Sequence, residues 1–310
     1  MKKIIFLIVL VFIVIVVLLT SQHEISAKYS EEISFKHDNE TIVGTLYLPT
    51  KNKPCPVILF VHGDGAQDRT ANGNYTIMMN IFLKNGIGVF SYDKAGVGDS
   101  SGNWLYQTMA DRGTEVIKAV NALKKNRYVD KDKIGLIGFS QAGWVIPKIA
   151  RKEYGIAYVV IVGGAINWME QKDFYEKNQL NRLGYIPKST LDKKRQVFIE
   201  LNKNADASKD LRLVNIPLLG IFAKNDLHVN AKLSYEVYSK IFKDVKHSKI
   251  ILISNATHSM LKANSYDSFS NDFTLWNQVK YFIEGEDAFN PLYINILIKW
   301  IKENNIKVKS

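Results

Sequence analysis

Gly138-Phe139-Ser140-Gln141-Ala142-Gly143 follows the apolar run Lys133-Ile134-Gly135-Leu136-Ile137 and leads into Trp144 to Lys152, which reads as helix. A serine on a sharp turn between strand and helix is held in a strained backbone, with its hydroxyl clear of the sheet. Its neighbours must be small, because bulkier ones collide with the strand and helix packed around the turn. The stretch therefore predicts a nucleophile elbow inside an α/β sheet. It departs from G-x-S-x-G once: Ala142 stands at the second glycine position and Gly143 follows it. One added methyl group leaves the turn feasible.

A serine hydroxyl is a poor nucleophile until a base removes its proton, and the base needs an acid to orient it. On this fold the chain order is Ser, then Asp or Glu, then His. Only His228, His247 and His258 follow Ser140. The run Ile216 to Ala223 has strand length and ends in Lys224-Asn225-Asp226, which puts the Asp226 carboxylate just past the carboxyl end of a strand, where sites form in open α/β sheets. The next strand-like run, Ser248 to Ile253, is followed by Ser254-Asn255-Ala256-Thr257-His258. His258 thus stands one strand beyond Asp226 at the same edge, and it is the expected base. His247 precedes that strand and falls at the opposite edge. His228, two residues past Asp226, reads as loop lining and is the alternative base.

Acyl transfer also needs donors for the carbonyl oxygen as it becomes negative. One should be the backbone N–H of Gln141, directly after the nucleophile. The other should come from His62-Gly63-Asp64-Gly65, the loop after the strand Pro56 to Val61, with the Asp64 N–H as the expected donor. His62 reads as a structural hydrogen-bonder. The Asp64 carboxylate would repel an oxyanion unless it turns away or pairs, and Arg69 is the candidate partner.

These stretches, with Tyr92-Asp93-Lys94-Ala95-Gly96-Val97-Gly98-Asp99-Ser100, resemble the α/β-hydrolase superfamily. Within it the chain is most similar to bacterial esterases close to serine aminopeptidases and prolyl-oligopeptidase-type hydrolases. The resemblance spans roughly residues 30 to 305 and implies Ser140, Asp226 and His258 as the catalytic triad. Two departures stand out. Ala95 replaces the arginine of D-x-R-G-x-G-x-S, removing a structural salt bridge but no catalytic group, and Asp64 stands where a small residue such as serine is commoner.

The implied fold is a mostly parallel, doubly wound α/β-hydrolase sheet with an N-terminal antiparallel hairpin and a small helical cap. With 310 residues, 46% hydrophobic, the chain can bury one large core. Glu31 to Lys36 and Thr41 to Leu48 alternate around Asp38-Asn39, which predicts the hairpin. Helix is predicted over 77–84 and 109–125, strand over 88–92 and 158–162, and this alternation argues for parallel pairing. A last helix over 292–304 should turn Ile294, Leu297, Ile298 and Ile301 to the sheet. The interval 167–213 breaks the rhythm with charged, aromatic, helix-prone sequence and is expected to form the cap within a domain of residues 28–310.

Residues 1–27 read as a signal peptide or an N-terminal membrane anchor. Met1-Lys2-Lys3 precedes an unbroken apolar run, Ile4 to Leu19. Its sixteen residues reach about 24 Å as helix, against roughly 30 Å of hydrocarbon and a secretory apolar region of about 7–15 residues. Ile25-Ser26-Ala27 is a poor cleavage pattern, having a bulky residue where a small one is preferred. Either way the domain is expected outside the membrane, secreted or anchored through residues 4–19, with Lys2 and Lys3 left in the cytoplasm.

The single cysteine, Cys55, permits no internal disulfide, and no motif places a base beside it. No His/Cys/Glu grouping has metal-ligand spacing, and Gly96-Val97-Gly98 lacks the third glycine of a dinucleotide fingerprint, so no cofactor or metal is expected. The net charge of +11 comes from scattered lysines, which argues against nucleic-acid binding. The leading functional expectation is an exported serine hydrolase of small carboxylic esters. The alternatives are a peptidase acting on short peptides with the same residues, and a silent envelope binding protein. The intact order Ser, Asp, His argues against the silent case.

Overall fold

The computed structural model describes residues 23–187, 191–267, 269 and 273–307. The apolar run 4–19 lies outside them. No helix among the described residues is long and apolar enough to cross a membrane.

Eight strands form one sheet: β1 Tyr29–His37, β2 Glu40–Leu48, β3 Cys55–Val61, β4 Gly88–Tyr92, β5 Val129–Phe139, β6 Tyr158–Val162, β7 Leu218–Ala223 and β8 Lys249–Ile253. Their order is β1-β2-β4-β3-β5-β6-β7-β8. β1 and β2 make the N-terminal hairpin, turning at Asp38 with φ 51°, and β2 runs antiparallel to β4. From β4 to β8 every pairing is parallel. This is the mostly parallel, doubly wound arrangement implied by the sequence.

Alternation along the strands divides the core in two. Val57, Leu59 and Val61 of β3 enter one apolar cluster, while Ile58 and Phe60 enter the other. β6 splits likewise, with Val159 and Ile161 on one face and Tyr158, Val160 and Val162 on the other. Both faces are therefore covered, as parallel strands require. Among the described residues the α-helices are α1 (Thr76–Lys84), α2 (Met109–Leu123), α3 (Ile146–Ile149), α4 (Trp168–Leu183), α5 (Leu191–Asn202), α6 (Ser208–Leu211), α7 (Ala231–Phe242), α8 (Ala263–Tyr266), α9 (Leu275–Glu284) and α10 (Pro291–Lys307). α2 and α7 lie on the first face, α1 and α10 on the second. α10 buries Leu297 and Ile301 of the expected stripe fully and packs Ile294 and Ile298 partly. Helices α4, α5 and α6 lie in the chain between β6 and β7.

One local expectation is corrected. The helix read over Trp144 to Lys152 is broken into a 3-10 turn (Ser140–Trp144), the four-residue α3 and a second 3-10 turn (Lys152–Tyr154). Pro147 has no N–H to continue a ladder from the preceding turn, so it is accommodated only in the first turn of a new helix.

Candidate active site

Because β3 and β5 to β8 run parallel, the loops after them emerge at one edge of the sheet. His62 to Gly65 follows β3, Ser140 follows β5, Gly163 follows β6, Asp226 lies beyond β7 and His258 beyond β8. These groups are spread over residues 62 to 258 of the chain, and sheet order brings their loops to one edge.

Ser140 has φ 53°, a left-handed conformation that a side chain adopts at a cost of order 1–3 kcal/mol. The turn is tight enough to exclude side chains nearby. A Cβ on Gly138 would stand 2.4 Å from Ile146 Cδ1 and 2.6 Å from Ala142 Cβ. The methyl of Ala142 thus occupies the space that Gly138 leaves open, which is how the turn tolerates the departure from G-x-S-x-G.

His258 Nδ1 and Asp226 Oδ2 are 2.6 Å apart. Asp226 Oδ1 accepts the backbone N–H groups of His228 at 2.7 Å and Val229 at 2.8 Å, so both carboxylate oxygens have fixed partners. Burial acts against the charged imidazole, but the Asp226 charge and hydrogen bond outweigh it and hold His258 above its ordinary value. Gly163 clears room for this pair: a Cβ there would lie 3.1 Å from His258 Cε1 and 3.2 Å from Nδ1. His228 stacks on the His258 ring at 4.8 Å and on Tyr175 of α4 at 5.2 Å. Burial, then the His258 charge, push His228 down to about 4. With that shift its ring is neutral near pH 7 where it covers His258.

Ser140, Gln141, Asp64 and His228 line one cavity of 670 Å³, walled further by Trp144, Trp168 and Arg195. Among the described residues no hydrogen bond joins Ser140 to His258. The structure therefore assembles the imidazole–carboxylate pair and sets the serine on a cavity whose wall includes His228, the ring stacked on His258. Trp144 and Trp168, which by residue type read as core, stack at 5.1 Å in the cavity wall, whereas Trp104 packs against Phe198 of α5 at 5.2 Å.

The Asp64 loop differs most from expectation. Asp64 pairs with Arg195 of α5, whose Nη2 donates to both carboxylate oxygens at 2.7 Å, and Gln141 Nε2 donates to Oδ1 at 2.8 Å. Arg69 is engaged elsewhere, with Asp93 and Asp99 at 2.6 Å each and Thr45 at 2.8 Å. Desolvation acts to raise the Asp64 carboxyl, but the charges of Arg195 and Lys94 and the Arg195 hydrogen bond keep it below the usual range. Arg112, buried, donates to Gln141 Oε1 at 2.5 Å and to the His62 carbonyl at 2.6 Å. Lys94, 2% exposed, donates to the Gly63 and Gly65 carbonyls at 2.6 and 2.8 Å. His62 contacts the Tyr92 carbonyl through Nε2, and burial pushes it down to about 3, the structural role its loop position implied.

Lys94, Arg112, Arg195 and Tyr175 escaped the sequence reading. Lys94 lies inside the Tyr92 to Ser100 stretch, but residue type alone does not separate a buried lysine from an exposed one.

Residues 74–279 match the profile of the prolyl oligopeptidase family. Among curated proteins, an uncharacterized 31.7 kDa protein from the traX-finO intergenic region of Escherichia coli is 23% identical over 197 residues, 56% of this chain and 67% of that protein. Among solved structures, the Pyrococcus furiosus esterase Pf2001 superposes with a TM-score of 0.63 at 18% identity, covering 89% of this chain and 91% of the esterase. Est1E from Butyrivibrio proteoclasticus, solved with ferulic acid bound, gives 0.58 at 16% identity, with coverage of 89% and 99%. At these identities the structural likeness establishes the shared fold.

Proposed function

Because the chain belongs to the prolyl oligopeptidase family, we propose that it is a serine hydrolase of carboxylic esters, with Ser140 as nucleophile, His258 as base and Asp226 as the group that orients the imidazole. The observation that carries the reading is the 2.6 Å contact between Asp226 and His258 at the sheet edge where Ser140 is held at φ 53°. That the Pf2001 neighbour in fold is an esterase favours an ester over a peptide.

In the proposed reaction His258 Nε2 takes the Ser140 proton as Oγ bonds to the ester carbonyl carbon. The carbonyl oxygen becomes negative and receives the N–H groups of Gln141 and Asp64. Collapse breaks the ester C–O bond, and the departing alcohol leaves with the proton from His258. Water, deprotonated by the same imidazole, then attacks the acyl-enzyme and frees the acid and Ser140. Hydrogen bonds of this kind are often long in unliganded enzymes and tighten in the complex. The stacked Trp144 and Trp168 provide an apolar wall for part of the substrate, beneath α4 and α5 as a cap.

A fluorophosphonate probe tests the nucleophile. Labelling of the folded protein, abolished in Ser140→Ala, is the expected result, together with turnover of short acyl esters in excess of aminoacyl amides. Absence of labelling rejects the enzyme reading, and faster amide turnover rejects the ester in favour of the peptide.

Arg195 has a role here that a charge-removal experiment reads. Its guanidinium neutralises the Asp64 carboxylate beside the developing oxyanion. Arg195→Ala should lower kcat roughly 10–100-fold, and Asp64→Asn in the same chain should recover most of the loss by removing the repelling charge. Equal kcat in the single and double variants would show that the pair holds only the cap.

A further inference from the structure

Helix α9 (Leu275–Glu284) is amphipathic in the wrong sense for a helix lying on a protein core. Its inward positions are Asn277, Lys280, Tyr281 and Glu284, spaced i, i+3, i+4 and i+7, with Lys280 turned toward Glu284 at 3.8 Å and over the Tyr266 ring. Its outward face carries Leu275, 78% exposed, Trp276, 70% exposed, and Val279, 47% exposed, continuing through Phe282 and Ile283. No charged residue lies on that face. An apolar stripe of this kind, with a tryptophan in it, marks an interaction surface.

What meets it is indicated by where the N-terminal chain arrives. His23 stacks on the Phe282 ring at 4.5 Å and its Nε2 contacts the Phe282 carbonyl at 2.9 Å. Beyond it, Ser26 N donates to Asn80 Oδ1 at 2.8 Å, Asn80 Nδ2 donates to the Glu24 carbonyl at 2.8 Å, and Ile25 and Ala27 pack on the second core. The region that would have to be cut to release a signal peptide is thus built into the domain. The apolar run Ile4 to Leu19 joins the domain within four residues of His23, beside α9.

We propose that residues 4–19 stay in the membrane as an anchor and that the Leu275/Trp276/Val279 face of α9 lies on the same bilayer, its side chains in the headgroup–acyl boundary. Tryptophan and leucine on one face of a short helix favour that depth, and a chain of net charge +11 suits an anionic surface. The inference is independent of the hydrolase reading.

The experiment places the full chain in vesicles of brominated phosphatidylcholine and phosphatidylglycerol in equal parts and follows tryptophan emission. Residues 1–22 contain no tryptophan, so the anchor itself gives no signal. Trp276 is one of five tryptophans, so emission should fall by about one fifth relative to unbrominated vesicles, and Trp276→Phe should remove that fall. The variant should keep the far-ultraviolet circular dichroism and the melting temperature of the wild-type chain, which confirms its fold. No quenching in the wild-type chain, or the same quenching in Trp276→Phe, overturns the proposal. So does a shielded, unquenched Trp276 in a chain that sediments as a dimer, because the face then meets a second copy.

Discussion

Asp226→Asn should lower kcat by about 10⁴-fold while leaving the fold intact, the scale expected for a triad carboxylate. The reason lies in the two oxygens. Oδ1 accepts two backbone N–H groups, from His228 and Val229, so in asparagine the carbonyl oxygen must occupy that position. The amide NH₂ then faces His258 Nδ1, 2.6 Å away in the native protein, and requires that nitrogen to accept. The proton moves to Nε2, and the imidazole presents a donor to Ser140 where a base is needed. The same substitution tests the charge. A base works when neutral, so kcat/KM should rise with pH through the His258 pKa. Asp226 holds that pKa above 6.5 against the effect of burial, so the acid limb of the native profile should lie above 6.5 and shift to lower pH in Asp226→Asn. A rate profile on a soluble ester from pH 5 to 9 reads both effects. An unshifted limb would mean that another group governs the titration.

Lys94→Met is expected to cost about 10²–10³-fold in kcat with little change in KM, the scale of losing one oxyanion donor. In a trans peptide the C=O and the following N–H point in opposite directions, and among the described residues every peptide is trans. Lys94 holds the Gly63 carbonyl at 2.6 Å from the buried side, so the Asp64 N–H of that same peptide is turned toward the cavity. The second contact, to Gly65 O at 2.8 Å, fixes the other end of the turn. Burial, followed by the neighbouring Arg112, drives the Lys94 pKa well below its usual value, and the amine gives its N–H groups to these two carbonyls. Methionine fills a similar volume and donates nothing. A structural role alone would lower thermal stability at constant kcat, so a melt measured beside the kinetics separates the two.

Much of this site was legible before any coordinates. Ser140, Asp226 and His258 each follow an apolar run of strand length, and parallel strands deliver the ends of such runs to one edge. The position of each histidine relative to those strands set His258 ahead as the expected base, with His228 as the alternative. The elbow helix was misread because Pro147 divides a stretch whose composition otherwise favours helix. The Asp64 partner was misread for a different reason. Arg69 is five residues away in sequence, whereas Arg195 is 131 residues away and is brought to Asp64 by α5.

From the amino-acid order alone came the α/β class, the hairpin, the strand ends and the three residues at them, because period-2 and period-3.6 apolar patterns are local properties of a chain. Tertiary structure alone decided which charges meet, which tryptophans wall the cavity and which side of α9 faces out. Charge pairing depends on distances between segments far apart in the chain, and residue type carries no record of them. The repeat of α9 is the same whichever face is buried, so only its neighbours reveal that Leu275, Trp276 and Val279 were left exposed.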